Sequence, residues 1–229
     1  LGTWFHLPAH FRVGALFNVE EWFIDTASYR PGGPFDPFQT QGFGGGRDLS
    51  LGGGIAWDTR DNEFFPNNGV LIEGRIARTD EDLGADFNFN RLTADFRAFW
   101  TPWRVGHIIA IRAYYDATWA GPPPFFTEPK LGGSIFDRGY REGRFRDRNA
   151  LIFTAEYRFQ IYGRLSGAVF GEMGQVAHAP LDFRFQEIKA TGGGAIGYLI
   201  PPGKVLFVRL EVAGSEDGAT VFLRFGHPF

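Results

Sequence analysis

The sequence predicts an all-β protein, an antiparallel transmembrane β-barrel, on three observations. Apolar residues recur at spacing two along most of the chain, and the alternating stretches run to about ten residues. Glycine and aromatic residues are also abundant, with 32 glycines and 17% aromatics among 229 residues. Spacing two is the strand period, because successive side chains leave a strand on opposite faces. About ten residues is what a tilted strand needs to cross a hydrocarbon core, whereas strands of soluble domains average nearer five or six. Glycine and aromatics suit tight turns, barrel bends and interfacial girdles, while one methionine and few lysines speak against a helical bundle.

From the N-terminus, a stub at 2–7 precedes strands at 11–24, 48–58 and 69–79. The next strand sets Leu92, Ala94, Phe96, Ala98 and Trp100 against Arg91, Thr93, Asp95 and Arg97. After a strand at 106–119 comes the cleanest alternation. Leu151, Phe153, Ala155, Tyr157 and Phe159 share one face, with Ile152, Thr154, Glu156, Arg158 and Gln160 on the other. Strands at 164–174 and 187–199 lead to Leu206, Val208, Leu210 and Val212, which oppose Val205, Phe207, Arg209 and Glu211. The last strand covers 219–227, which makes about ten or eleven strands in one domain spanning 1–229.

Connections alternate in length. Short ones fall near Leu7 to His10, Thr101 to Gly106, Gln160 to Gly163 and Leu199 to Lys204, and long ones at 25–47, 120–148 and 175–187. Outer-membrane barrels pair short periplasmic turns with long outer loops, which puts the C-terminus on the periplasmic side of a Gram-negative type outer membrane. Arg91, Asp95, Arg97, Arg112, Asp116, Glu156, Arg158, Arg209, Glu211 and Arg224 all fall opposite the apolar row. An arginine facing lipid near the midplane costs about 2–4 kcal/mol, so these residues line a polar lumen that is hydrated or plugged.

A net charge of −3 without a basic run offers nothing to nucleic acid. No apolar run is long enough for a spanning helix, which leaves a barrel as the way through a bilayer. Leu1 follows no charged-then-apolar leader, as in a mature or partial chain. The serines at 28, 50, 134, 166 and 215 sit in no nucleophile elbow, and His6, His10, His107, His178 and His227 are scattered. Gly192, Gly193, Gly194 and Gly197 mimic a dinucleotide spacing, but Tyr198 to Pro202 cannot start the helix that would receive a pyrophosphate. No enzyme activity, catalytic residue, cofactor or metal is expected.

Three groups of residues carry a resemblance. Val221, Leu223, Phe225, His227 and Phe229 share one face and end on an aromatic residue, which resembles the signal that outer-membrane assembly machinery reads. Gly132-Gly133 is followed by Asp137-Arg138-Gly139-Tyr140 and by Gly143-Arg144-Phe145-Arg146-Asp147. Asp58-Thr59-Arg60-Asp61 with Phe65-Pro66-Asn67-Asn68-Gly69, Ala155-Glu156-Tyr157-Arg158, and Val169 to Gly174 flank it. From about residue 11 onward the chain resembles the bacterial surface antigen family, the superfamily of BamA- and TamA-type outer-membrane assembly factors and two-partner secretion transporters.

The resemblance implies that the long loop at about 120–148 folds back into the barrel. Its tip, Arg138, Gly139 and Tyr140, would then meet acidic residues on the lumen wall. Strand parity puts Glu156 and Glu172 inside, where Arg138 would need them. Phe136-Asp137 stands where a small apolar residue is usual before that arginine, a mild departure, and Glu172 replaces the usual Asp. Asp58, Arg60, Asp61, Pro66 and Gly69 would form a structural turn.

Family barrels have about sixteen strands and usually periplasmic POTRA domains before them. This chain then corresponds to the C-terminal part of one, without a POTRA domain, or to a shortened lineage. The implied function is insertion or translocation of polypeptides, with outer-membrane lipid, polypeptide substrates and the assembly machinery as partners. The competing readings are an anchor or export pore for an attached enzyme such as a patatin-like lipase, and a passive or structural barrel.

Overall fold

A computed structural model of the chain describes residues 2–26, 40–180, 182–200 and 207–229. Along the chain it forms β1 (Gly2–His6), β2 (Phe11–Phe23), β3 (Gly45–Asp58), β4 (Gly69–Thr79), β5 (Phe89–Trp100) and β6 (His107–Trp119). Two short strands, β7 (Lys130–Leu131) and β8 (Phe145–Arg146), lie within the long loop. They precede β9 (Asn149–Tyr162), β10 (Leu165–Ala177), β11 (Lys189–Leu199), β12 (Phe207–Ser215) and β13 (Gly218–Phe225). All but β7 and β8 form one antiparallel sheet of 11 strands in chain order, with β9 beside β6 and with β1 and β13 at its edges. Among the described residues the sheet is a partial barrel whose edges are not paired with each other.

The period-two pattern determines which way each strand faces. In the β9–β10 ladder, Phe153 pairs with Met173 and Tyr157 with Val169 on one face, while Thr154 pairs with Glu172 and Glu156 with Phe170 on the other. The first face is exposed and apolar around the whole sheet, with Val169 at 53%, Ile196 at 57% and Leu223 at 68%. The opposite face buries Asp95, Arg112, Glu156, Arg158, Arg209 and Glu211. A water-soluble sandwich buries its apolar rows and rarely exposes apolar surface on this scale. The inverse arrangement is that of a barrel wall in lipid.

The sheet curls, because strands far apart in its order meet across its concave face. Phe65, between β3 and β4, lies edge-on to Phe207 of β12 and to His227, at ring distances of 6.1 Å and 5.8 Å. The concave face thereby becomes a lumen. Connections 7–10, 59–68, 101–106 and 163–164 leave one rim, and 80–88, 120–148 and 178–188 leave the other. The long-loop rim also carries a tight hairpin at Glu216-Asp217, where Arg144 of the long loop reaches the Asp217 carboxylate at 2.8 Å.

Several expected boundaries move. Strand β3 begins at Gly45 rather than at 48, so residues 45–47 leave the expected loop at 25–47, and 27–39 of that loop lie outside the described residues. The expected turn after Leu199, with Val205 and Leu206, falls largely on residues 201–206, also outside them.

The largest correction concerns the C-terminus. Leu223 and Phe225 lie in the outward row, but the alternation does not continue to His227 and Phe229. Gly226 takes a φ of +86°, a left-handed conformation that glycine adopts without strain, and Pro228 cannot extend a ladder. The chain turns inward, and Phe229, only 7% exposed, packs on Phe99 of β5 and Ala110 of β6. Arg158 Nη2 donates to its backbone oxygen at 3.0 Å. His227 is enclosed between Phe65 and Phe207, and its Nδ1 accepts from Arg209 Nη1 at 3.1 Å. That enclosure, with Arg158 nearby, holds its pKa well below the usual histidine range, so the ring is a neutral acceptor.

Candidate functional site

Two hairpin-like contacts present the loop tip. Strands β7 and β8 pair through Leu131 and Phe145, and Lys130 holds the Glu142 carboxylate at 2.8 Å. Beyond them, the Gly133 N–H donates to the Tyr140 carbonyl at 3.0 Å and the Tyr140 N–H to the Asp137 carbonyl at 2.9 Å. This closes a tight turn with Arg138 at its apex. Apolar contacts seat the turn: Leu131 packs on Ala150 and Ile152 of β9, Phe136 stacks on Tyr114 at 4.6 Å, and Tyr140 meets Phe145 edge-on at 5.1 Å.

Arg138 is fully buried in the lumen. Its backbone N–H donates to Glu172 Oε2 at 2.7 Å and its Nε to Glu172 Oε1 at 3.1 Å. Nη1 reaches Glu156 Oε2 at 3.3 Å and Glu211 Oε1 at 3.2 Å. The guanidinium carbon lies 3.5 Å from the centroid of the Phe170 ring, a cation–π contact in a desolvated setting. Thr154 and Thr191 hydroxyls donate to the two Glu172 oxygens, at 3.3 Å and 3.2 Å.

The carboxylates have further partners. Arg209 grips both oxygens of Glu156 at 2.8 Å and lies 2.6 Å from Glu211 through Nε. Arg158 Nε takes Glu156 Oε1 at 2.7 Å, and Arg224 takes Glu211 Oε2 at 3.0 Å. Four guanidiniums thus share three carboxylates, and Arg138 is the only member of the set supplied by the loop. A buried charge is tolerable only when paired and hydrogen-bonded, so each member depends on the others.

Backbone contacts reinforce the docking. The Thr220 hydroxyl donates to the Arg138 carbonyl, the Ser215 hydroxyl to the Gly139 carbonyl at 2.8 Å, and Arg224 to the Ser134 carbonyl. Gly139 lies so close to β12 that a Cβ on it would sit 2.7 Å from the Gly214 oxygen. Glycine in the Arg-Gly-Tyr tip is therefore a requirement of close approach.

The turn at 58–69 stands apart from this network. Asp58 accepts Arg60 Nε at 2.9 Å and Nη2 at 2.8 Å, and Arg12 of β2 at 3.0 Å. Asp61 accepts the Asn67 N–H at 2.9 Å, Pro66 is fully buried, and Gly69 opens β4 at a φ of +113°. These bonds close the turn on itself and on β2.

Glu211, Arg209, Thr220 and Phe170 were not expected as partners of the loop tip. Strand parity places Glu211 and Arg209 on the inner face, but parity says nothing about position around the barrel. The curl of the sheet brings β12 over β9, and that curl has no period-two signal.

A BamA structure from Haemophilus ducreyi, lacking POTRA domains 1–3, is similar at a TM-score of 0.64 and 14% identity. The likeness covers 95% of this chain and 50% of that one, so the chain spans about half the length of the BamA structure it matches. No curated protein sequence is significantly similar to it. The Omp85 superfamily domain model matches residues 18–229, and the chain belongs to that superfamily.

Proposed function

We propose that the chain forms the barrel of an outer-membrane protein that inserts or translocates polypeptides, with its C-terminal residues at the periplasmic rim. Omp85 superfamily membership supports the membrane and the general activity. The observation that carries the reading is the docked loop. Arg138, Glu156 and Glu211 are fully buried, so the loop and its ion pairs occupy the lumen face of β9, β10 and β12. A passive pore needs the opposite.

The sheet edge supports the same reading. Among the described residues, β13 pairs only with β12, which leaves one side of Gly218–Phe225 able to hydrogen-bond another strand. An incoming strand pairing there would satisfy its backbone before entering lipid, which removes most of the cost of insertion. The buried loop holds the wall in shape meanwhile.

The test is to reconstitute the protein in lipid vesicles and follow the folding of a urea-unfolded small outer-membrane barrel into them. Folding faster than in protein-free vesicles is expected, and Arg138→Ala should lower the gain. Steady solute conductance with no acceleration would instead establish a passive pore.

A further inference from the structure

Asp137, beside Arg138, is 0% exposed, and neither of its carboxyl oxygens has a hydrogen-bond donor. Its φ of +47° is in the left-handed region, where Asp is among the few non-glycine residues tolerated. Across from it on β10 stands Gly174, where a Cβ would lie 2.3 Å from Asp137 Oδ2 and 3.0 Å from a methyl of Leu131. The carboxyl group is thus enclosed by a glycine backbone and an aliphatic side chain. An ionised carboxylate without donors in such a place is costly, and the usual outcome is that it keeps its proton.

Among the described residues no neighbouring cation compensates it. On β10 the facing charge is Glu172, of like sign. Arg138, next in sequence, is engaged by three glutamates. On β11, Lys189 pairs with Gly174 in register but is held by Glu216 at 2.6 Å. Lys130 beside Leu131 on β7 is held by Glu142, Arg146 of β8 by the Gly143 and Phe125 carbonyls, and Arg224 of β13 by Glu211 and Ser134. On β6, Arg112 lies 4.4 Å over the neighbouring Phe136 ring and is held by Asp95 at 2.7 Å, and the buried Tyr140 phenol is a further titratable neighbour.

We propose that Asp137 is a proton-controlled latch: its carboxyl is neutral while the loop is docked, and deprotonation loosens residues 132–147 from the lumen wall. Burial, followed by the Glu172 charge, pushes its pKa up to about 8 from an ordinary 3.8. The docked loop therefore binds the proton more tightly than a free loop does. The latch is at full strength below about pH 4 and weakens as pH rises toward about 8, by up to tenfold in the docking equilibrium per pH unit. Above that it has no further effect. The inference rests on the loop's geometry and is independent of what the barrel transports.

The experiment measures hydrogen exchange of loop amides in the protein held in lipid vesicles, from about pH 5 to 9. Rates are corrected for intrinsic pH dependence and compared with Asp137→Asn, which keeps the size and the tolerance for positive φ. Wild-type protection is expected to fall as pH rises and the Asn variant to stay protected. The same pH profile in both proteins, or no pH dependence in the wild type, overturns the latch. Should the variant fail to fold, infrared spectra of aspartate-labelled wild type decide: a protonated aspartate band at about pH 6 that disappears by about pH 9 supports it, and its absence at about pH 6 overturns it.

Discussion

Arg138 and Glu172 meet twice, through the arginine's backbone N–H at 2.7 Å and its Nε at 3.1 Å, so a single carboxylate of β10 holds both the main chain and the side chain of the loop tip. The two bonds separate what each substitution removes. Arg138→Ala keeps the backbone donor but strips a cation from three fully buried glutamates. Such a loss costs about 3–5 kcal/mol. Glu172→Gln keeps an acceptor and loses a charge, at about 1.5–3 kcal/mol. Urea titration in vesicles should rank the alanine variant as the weaker, and both should expose the loop to trypsin. Unchanged stability and protection in both would sink the idea that the pair pins the loop.

Glu211 is expected to matter as much as Glu156, although only parity hinted at it. It contacts Arg138, Arg209 and Arg224 from a strand three places along the sheet from β9. Glu211→Ala leaves Arg138 with Glu156 and Glu172, Arg209 with Glu156, and strips Arg224 of its carboxylate partner, a loss of about 3–5 kcal/mol. Heat-induced unfolding followed by gel mobility would show it. A Glu211→Ala protein as heat-stable as the wild type would mean that Arg138 is held by β9 and β10 alone.

What could be read in the sequence follows from where the physical signal lies. Strand faces were legible because period two is written in every strand, as in Leu151 to Gln160, and a reversed face would put Arg158 or Glu156 in lipid. Glu156 and Glu172 were named because the resemblance calls for acidic partners of Arg138 on those strands and parity puts both residues inside. Glu211 could not be assigned to Arg138, because the sheet's curl emerges from the twist of all its strands together. Phe229 was assigned to the wrong face because counting by two assumes extended backbone, and Gly226 breaks that assumption at one residue. Asp137 looked like a mild departure, since its burial depends on Gly174 standing opposite.

Gly139→Ala tests docking without touching any charge. The added methyl would sit 2.7 Å from the Gly214 oxygen and 2.9 Å from the Ser215 Cβ, so the loop or β12 must shift. Overpacking of this kind costs about 1–3 kcal/mol. Trypsin should cut at Arg141 or Arg144 faster in the variant, while salt dependence of stability stays as in the wild type. Equal cleavage rates would show that the tip has room the structure does not suggest.

The outward row makes a prediction about lipid. Val169 is 53% exposed at the middle of β10 and faces away from the lumen, opposite Tyr157. Val169→Arg should cost about 2–4 kcal/mol in bilayers, if β10 spans them. In detergent that lets the guanidinium reach water, the same variant should fold almost normally. Folding yield compared in the two media checks this, and an equal yield in bilayers would place Val169 outside the hydrocarbon.

Phe229 and Leu223 lie six residues apart in the sequence and, by the inward turn at Gly226, on opposite sides of the wall. Phe229 buries its ring against Phe99 and Ala110 and stacks near Arg158, whose carbon lies 5.3 Å from the ring centroid. Phe229→Ala should leave a cavity among packed neighbours and cost about 3–5 kcal/mol. Leu223 is 68% exposed and exchanges protein contact for little else when the wall meets lipid. Leu223→Ala should therefore cost far less, since acyl chains fill the space its methyl groups leave. Urea unfolding in vesicles gives both numbers. A larger loss for Leu223→Ala would mean that the terminus continues as a straight strand with Phe229 facing outward.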